Sequence, residues 1–152
     1  MPEKFLSLIV PVFNEQEVVG VSFERMDAVM KGMGYPYEII YVNDGSRDDT
    51  MKQLRKIAKA NPQVKVRSFS RNFGHQLAVT AGMDIARGDA LIIIDADLQD
   101  PPSLLPEMYE ALQTGEYESV ATRRVSRKGE PPIRSFFARC FYKLINRISD
   151  AD

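Results

Sequence analysis

The segment LIIIDADLQDPP, residues 91–102, joins an apolar run to three carboxylates and two prolines. Its apolar half predicts a strand covered on both faces, because strands inside a parallel sheet are continuously hydrophobic. Such a strand would deliver Asp95 and Asp97 to one edge of the sheet. Two carboxylates beside a buried strand are costly unless a cation or strong donors compensate their charge. The pair therefore predicts a divalent-metal and phosphate site, although an isolated Asp-x-Asp is more often a plain turn.

Strand-like and helix-like segments alternate on both sides of this run. The pattern predicts strands at 5–13, 37–42, 64–70, 89–95 and 117–122, and helices at 15–31, 46–60, 75–86, 103–113 and 133–148. Short connections between alternating elements favour right-handed crossovers and parallel strands. The expected fold class is α/β, a mostly parallel sheet with helices on both faces. A length of 152 residues suits one domain, 1–152.

Polar residues stand where four of these strands end, and ligands of such sheets bind at the carboxyl ends of strands. The four stretches contain Asn14 and Glu15; Asp44; Arg71, Asn72 and Gly74; and Asp95, Ala96 and Asp97. We expect them to converge on one crevice.

Each stretch also has a plainer interpretation. Glu15 suits the first turn of a helix, and Asp44 lies in an Asn-Asp-Gly-Ser sequence that forms good turns. Arg71 comes just before a predicted helix N-terminus, an arrangement that favours phosphate. His75 is the single histidine, and a structural role is the simpler expectation for it than catalysis.

Charge is unevenly distributed along a chain whose net charge is −1. Residues 1–122 hold 12 basic and 18 acidic side chains, whereas residues 123–147 hold 8 basic and one acidic. This cationic segment predicts an anionic partner, whether phosphate, membrane surface or nucleic acid. The predicted helix 133–148 would either lie at a membrane interface or pack on the domain core. Arg123, at the end of the predicted fifth strand, could neutralise a phosphate.

One cysteine excludes an internal disulfide and a cysteine-based zinc site. The sequence lacks an apolar leader and a run of 18 apolar residues, so these residues are expected to be soluble.

Four motifs together resemble a known family in their order and spacing. They are Pro11-Val12-Phe13-Asn14-Glu15, Val42-Asn43-Asp44-Gly45-Ser46, Arg71-Asn72-Phe73-Gly74 and Asp95-Ala96-Asp97-Leu98-Gln99-Asp100-Pro101-Pro102. Over essentially its whole length the chain is similar to the family 2 inverting glycosyltransferases. The most similar subgroup is the polyprenyl-phosphate type, which includes dolichol-phosphate mannosyltransferase and the bactoprenol glucosyltransferases.

The resemblance implies a GT-A fold and a metal-dependent transfer, with inversion, from a nucleoside diphosphate sugar to polyprenyl phosphate. A UDP-sugar is the favoured donor, and Mg²⁺ or Mn²⁺ is the implied cofactor. By position, the nucleotide-sugar site would comprise Pro11, Asn14, Glu15, Asp44, Arg71, Asn72, Gly74, Asp95, Ala96 and Asp97. Asp95 and Asp97 would be catalytic and bind metal with Gln99, while Arg123 and Arg134 would grip phosphate or acceptor. A lipid phosphate is already ionised near neutral pH, so no catalytic base is expected.

Full-length members of this family carry an acceptor motif and membrane helices after such a domain, so the chain is expected to stop before them. The implied location of the full protein is the cytoplasmic side of the cell membrane. The implied partners exclude nucleic acid and leave a homo-oligomer open. Two alternatives remain: a transferase acting on a soluble glycan, and a nucleotide-binding module without catalysis.

Overall fold

The computed structural model describes residues 4–122, and the structural account that follows concerns that part of the chain. Its elements, in chain order, are β1 Leu6–Val12, α1 Val19–Gly32, β2 Tyr37–Asn43, α2 Thr50–Ala60, β3 Val64–Ser68, α3 His75–Met83, β4 Ala90–Ile93, a 3₁₀ turn Pro102–Leu104 and α4 Leu105–Gln113.

The four strands form one parallel sheet in the order β3-β2-β1-β4. β1 is central and every one of its residues is buried, which explains why its sequence is apolar without alternation. Leu6 pairs with Tyr37 on one side and with Ala90 on the other, so the three strands begin level with one another. The predicted α/β class and the parallel sheet are confirmed.

Helices cover both faces of the sheet. The larger core lies on the face that carries Leu8, Val10 and Tyr41, and it receives apolar side chains from α1, α2 and α4. The smaller core pairs Ile40 and Val42 with Ala78 of α3. The carboxyl ends of the strands therefore open between helices of opposite layers, where ligands of this fold class bind.

The helix boundaries differ from prediction for local reasons. α1 begins at Val19 rather than at Glu15. Asn14 has a left-handed φ of 55°, and the N–H groups of Glu15 and Gln16 bond to the side chains of Thr50, the first residue of α2, and of Asp48. α2 begins at Thr50 and not at Ser46. Ser46 or Asp48 is the cap that the sequence predicts, and Asp48 Oδ1 accepts the Thr50 N–H at 3.0 Å. α3 ends at Met83, three residues early, since the next bonds tighten to the 3₁₀ type.

The strand predicted at 117–122 is wrong: these residues form no strand in the structure. A strand is stabilised by a neighbour that pairs with its backbone. Within residues 4–122 the sheet ends at β4, which pairs with β1 alone. The side chain of Tyr117 is correspondingly 56% exposed. The predicted strand at 89–95 is also shorter, ending at Ile93, although the Ile94 N–H still donates to Ile9 at 3.1 Å. It was predicted to be covered on both faces, but within residues 4–122 it is covered on one face only, since Leu91 and Ile93 are 40% and 50% exposed.

A buried carboxylate fixes the amino-terminal edge of the sheet. Glu38, 2% exposed, accepts hydrogen bonds from the Ser7 hydroxyl and the Arg87 backbone N–H, both at 2.8 Å, and pairs with the Lys65 ammonium. Gly88 donates to the Ser7 hydroxyl at 2.8 Å. Burial would raise the pKa of Glu38, but these donors hold that pKa below its usual range. The network ties the residues just before β4 to β1 and β2.

Two predictions lie outside the described residues: the amphipathic helix at 133–148 and the positions of Arg123 and Arg134. Between residues 4 and 122, every helix is too short or too polar to cross a bilayer.

Candidate functional site

A cavity of about 270 Å³ opens at the carboxyl edge of the sheet. Its wall is formed by residues from the ends of β1, β2 and β4 and from the start of α3: Pro11, Val12, Phe13, Glu15, Asp44, Asn72, His75, Ala78, Asp95, Ala96 and Asp97. Seven of the predicted site residues thus meet around one space: Pro11, Glu15, Asp44, Asn72, Asp95, Ala96 and Asp97.

Negative charge accumulates on this wall. Burial raises the pKa of the Glu15 carboxyl, and the charges of Asp97, Asp48 and Asp95 raise that pKa further. Mutual repulsion among carboxylates indicates a place where a bound cation would relieve an unfavourable field. An anionic ligand would meet the same repulsion unless a cation accompanied it.

The turn after β4 presents Asp95 and Asp97 to the cavity. Asp97 Oδ1 accepts the Gln99 backbone N–H at 3.0 Å, and Leu98 takes a left-handed φ of 59°. Asp97 therefore forms the turn of the plainer interpretation and also lines the cavity, while a metal and phosphate site at this position stays a prediction. Across the cavity, His75 Nδ1 lies 3.7 Å from Asp95 Oδ1.

The loop between β3 and α3 forms the opposite wall. Its residues Asn72 and His75 reach the cavity, whereas the Arg71 guanidinium stacks over the Phe73 ring at 4.8 Å. Gly74 supports this path with a φ of 101°, a backbone conformation that glycine adopts without strain.

Asp44 fastens that loop to the end of β2. Its Oδ1 accepts the Phe73 N–H at 2.7 Å and its Oδ2 accepts the Gly74 N–H at 2.9 Å. The residue is only 3% exposed. Next to it, Gly45 packs so tightly that a Cβ would lie 2.3 Å from the carbonyl carbon of Arg71.

A second set of hydrogen bonds joins the loop after β1 to the loop after β2. Asn14 donates its N–H to Ser46 Oγ, and its own Oδ1 accepts the Arg47 N–H, both at 2.9 Å. Glu15 donates its N–H to Thr50 Oγ1 at 2.8 Å. Gln16 adds bonds to Asp48, Asp49 and Gln53. The loops thus hold each other in place before any ligand arrives.

Four predicted site residues lie off the wall of the first cavity. Asn14 and Arg71 line a neighbouring cavity of about 410 Å³ that shares Phe13 and Asn72 with the first. Gly74 shapes the β3–α3 loop, and Gln99 contributes its backbone N–H to the Asp97 turn. Arg123 and Arg134 lie outside the described residues.

Metal-binding side chains are sparse in this site. No group of three or more His, Cys, Asp or Glu residues within 4–122 is arranged to hold a metal ion by itself. Mg²⁺ in nucleotide enzymes is usually bound by one or two carboxylates, with substrate phosphates completing its coordination. Asp95 and Asp97 on a carboxylate-rich wall fit that pattern.

Sequence reasoning missed several residues of the site. Ser46 and Asp48 were expected only to form a turn or cap a helix, and Gln16 and Thr50 were not singled out. All four brace the site through hydrogen bonds to partners more than 30 positions away, which the sequence does not show. His75 lines the cavity, and its place directly after the third polar stretch was the available signal.

Comparison with known proteins agrees with the motifs. The Glycosyl transferase family 2 model matches residues 7–150. An uncharacterized glycosyltransferase of Bacillus subtilis, YkcC, is 47% identical over 96% of this chain and 45% of its own length. A bactoprenol glucosyl transferase of Shigella phage SfV is 41% identical over 95% of this chain and 47% of its own length. The chain thus spans about half the length of these relatives.

Solved structures share the fold. A mannosyltransferase from Pyrobaculum calidifontis, in complex with GDP-Man and Mn²⁺, superposes on 70% of this chain and 32% of its own, with a TM-score of 0.60 at 23% identity. Glucosyl-3-phosphoglycerate synthase from Mycobacterium tuberculosis, in complex with UDP, covers 74% of this chain and 41% of its own, with a TM-score of 0.59 at 25% identity. The predicted GT-A fold is confirmed. By the match along nearly its whole length, the chain belongs to the family 2 glycosyltransferases.

Proposed function

We propose that the chain is the donor-binding part of a metal-dependent, inverting glycosyltransferase that moves a sugar from a nucleoside diphosphate sugar to polyprenyl phosphate. The observation that carries this proposal is the convergence of Glu15, Asp44, Asp95 and Asp97 with Asn72 and His75 around one cavity. Carboxylates at such a place could share a divalent cation with the diphosphate of the donor, which would offset their mutual repulsion.

The nucleoside would occupy the β1 and β2 side of the cavity, against Pro11, Glu15 and Asp44. The diphosphate would extend toward Asp95 and Asp97, and Gln99 would complete the metal set. Arg71, Asn72 and Gly74 would enclose the nucleotide from the β3–α3 loop.

When bound, Mg²⁺ or Mn²⁺ neutralises charge on the departing nucleoside diphosphate. Asp95 and Asp97 would orient that diphosphate, and the braced loops would keep the nucleoside from moving as the glycosidic bond breaks. In-line attack by an oxygen of the lipid phosphate would form a bond to the anomeric carbon as the bond from that carbon to the nucleoside diphosphate breaks. The nucleoside diphosphate would leave, and the anomeric centre would be inverted. A lipid phosphate is already ionised near neutral pH, so its attack would need no strong base. Arg123 and Arg134 would bind phosphate.

Two relatives support the donor and acceptor. UDP is bound by the mycobacterial synthase at 25% identity, which favours a UDP-sugar. Bactoprenol glucosyl transferases at 40–41% identity favour a polyprenyl phosphate acceptor. We place the full protein at the cytoplasmic side of the cell membrane, with the cationic segment 123–147 toward anionic lipid.

A soluble acceptor is the second candidate. It is favoured by the same synthase, which has also been solved in complex with phosphoglyceric acid, at 28% identity. Transfer of labelled sugar by the complete protein to polyprenyl phosphate, and not to phosphorylated or glycan acceptors in solution, would decide for the lipid. Nucleotide binding without transfer to either acceptor would indicate a non-catalytic module.

The donor site is tested by calorimetry of UDP and GDP with and without Mn²⁺. Asp97→Ala should abolish the Mn²⁺-dependent part of UDP binding while leaving the melting temperature close to that of the unmodified chain, because the side chain is exposed. Asp84→Asn, an exposed carboxylate change beyond the end of α3, is the matched control and should bind normally. Unchanged UDP affinity in Asp97→Ala in the presence of Mn²⁺ would contradict the assignment of Asp97 to the metal and diphosphate site.

A further inference from the structure

The wall of the first cavity is rich in hydrogen-bond acceptors and poor in donors. Of the eleven residues that line it, four carry carboxylates and five are apolar. Only Asn72 and His75 have side chains that can donate a hydrogen bond from nitrogen. Phosphate oxygens accept hydrogen bonds, and they bind best to donors that are close and fixed. Any direct side-chain donor from this wall to a diphosphate must therefore be one of these two residues.

The fold itself makes little use of the His75 ring. Its side chain is 59% exposed, and Nδ1 lies 3.7 Å from Asp95 Oδ1, which is longer than a hydrogen bond. Within residues 4–122 the ring makes no hydrogen bond. Neither packing nor hydrogen bonding therefore gives it a structural role in this part of the chain.

The backbone nevertheless gives the ring a fixed place. His75 is the first residue of α3 and follows Gly74, whose N–H is bonded to Asp44 at 2.9 Å. The Nδ1 side of the ring is next to Asp95, so Nε2 is the nitrogen left for a ligand. A phosphate that shares a cation with Asp95 would lie next to this ring. The first turn of α3 has no side-chain cap, so its N–H groups favour an anion at the same place.

We propose that His75 is a substrate-contacting residue whose imidazole donates a hydrogen bond to a phosphate oxygen of the nucleoside diphosphate. This inference rests on the proposed function, since the diphosphate is the ligand of that site. The ring would supply a donor from the protein itself, on a wall that otherwise relies on a cation. Negative charge grows on the diphosphate as its bond to the sugar breaks, and a fixed donor stabilises that charge.

NMR of the imidazole tests the contact directly, because His75 is the only histidine of the chain. The ring nitrogen signals of an isotope-labelled chain therefore belong to one residue. UDP with Mg²⁺ should shift them, whereas uridine with Mg²⁺, which has the same base and no phosphate, should leave them in place. Mg²⁺ replaces Mn²⁺ in this experiment because Mn²⁺ would broaden the signals of a nearby ring. Ring signals that do not respond to saturating UDP would overturn the inference.

Substitutions measure what the contact contributes to affinity. His75→Leu removes the donor but keeps a side chain of similar size, and calorimetry with Mn²⁺ should show UDP binding weakened about tenfold or more. Uridine binding should not change. His75→Gln places an amide nitrogen near the position of Nε2 and should restore most of the UDP affinity. Gln76→Leu, an exposed change at the next residue and off the cavity wall, is the matched control and should bind both ligands normally.

The pattern of losses separates a phosphate contact from an effect on the shape of the cavity. Equal weakening of UDP and uridine in His75→Leu would overturn the inference, and so would a His75→Gln variant that binds UDP no better than His75→Leu does. If the unmodified chain binds UDP and uridine but His75→Leu binds both as well, only the inference fails. If the unmodified chain binds neither ligand, the proposed function fails and the inference fails with it.

Discussion

The loops after β2 and β3 lie in close contact at the carboxyl-terminal edge of the sheet, and this contact depends on the absence of a side chain at Gly45. Gly45 has a φ of 68°, and its Cα faces the backbone of Arg71. Both features favour glycine, the first by conformation and the second by space. The Asn-Asp-Gly-Ser sequence therefore does more than turn the chain, since it lets the β2 and β3 loops approach each other.

Gly45→Ala should destabilise the protein by roughly 2 kcal/mol or more. The left-handed conformation alone costs about 1–2 kcal/mol for an L residue. The added Cβ would also lie 2.3 Å from a backbone atom of Arg71, so one loop must move. Thermal unfolding should show a melting temperature lower by roughly 4–8 °C for a domain of this size.

Gly115→Ala is the matched control for Gly45→Ala. Gly115 has a similar φ of 76°, but a Cβ there would meet nothing within 4 Å. Its substitution should cost only the conformational part, about 1 kcal/mol. If the two substitutions lower the melting temperature equally, the close contact between Gly45 and Arg71 does not contribute to stability.

The place of individual residues in the fold could be predicted where position on the sheet decides it, whereas their roles in binding stay predictions. Asp44, Asp95 and Asp97 reach the cavity because they follow parallel strands, and their spacing along the sequence reveals that. The sequence does not reveal hydrogen-bond partners. Asn14 was predicted to hold a ligand, yet its side chain accepts the Arg47 N–H, a partner 33 positions away.

At the scale of elements, Glu38 anchors the start of β4, and β4 carries the acidic turn. We predict that Glu38→Gln destabilises the protein by about 2 kcal/mol near neutral pH, because an amide nitrogen would replace an oxygen that faces the Lys65 ammonium. Urea unfolding measures this loss. Glu24→Gln, an exposed change on α1, should have little effect.

The same network makes stability depend on pH in a definite direction. The folded-state pKa of Glu38 is depressed, so its stabilisation is complete above the unfolded-state pKa and is lost as pH falls through the folded-state pKa. The unfolded-state pKa of a glutamate is about 4.3. Between about pH 5 and 3, the unmodified chain should therefore lose more stability than Glu38→Gln. If the free energy of unfolding falls equally with pH in the two proteins, Glu38 is not the group that causes the loss.

The strands could be predicted from the sequence where both of their faces are buried. β1 and β2 are buried along their length, so a continuous apolar run locates them within one or two residues. The run at 117–122 has strand-forming residues as well, yet it has no pairing partner within the described sheet. Propensity records how well side chains suit a strand, and not whether a neighbour exists.

In the part of the chain that the structure describes, the two ends of the parallel strands differ in their charge balance. The amino-terminal edge is closed by a neutralised ion-pair network around Glu38. The carboxyl-terminal edge collects carboxylates whose repulsion raises the pKa of Glu15. Repulsion among carboxylates is thus concentrated at the edge where the proposed cation would relieve it, and the rest of the fold keeps that edge in shape.

Charge also divides the chain along its length, since residues 1–122 are net acidic and residues 123–147 carry 8 basic side chains against one acidic. We predict that the 152-residue chain binds vesicles containing anionic lipid and that removing residues 133–152 weakens this binding. Each basic side chain near an anionic surface contributes about 1 kcal/mol. Changing Arg139, Lys143 and Arg147 together to glutamine should therefore weaken binding roughly a hundredfold while leaving the apolar residues of the segment in place.

Vesicle sedimentation at two salt concentrations separates the contributions to that binding. Charge attraction is screened within about 10 Å at 0.1 M salt, so the triple glutamine variant should lose most of the salt dependence. Neutral vesicles of the same size control for apolar insertion, which charge removal would not abolish. If the chain without residues 133–152 binds anionic vesicles as well as the intact chain does, the segment is not the membrane contact. The attraction would then have to come from residues 1–132, which keep four basic side chains of the cationic segment: Arg123, Arg124, Arg127 and Lys128.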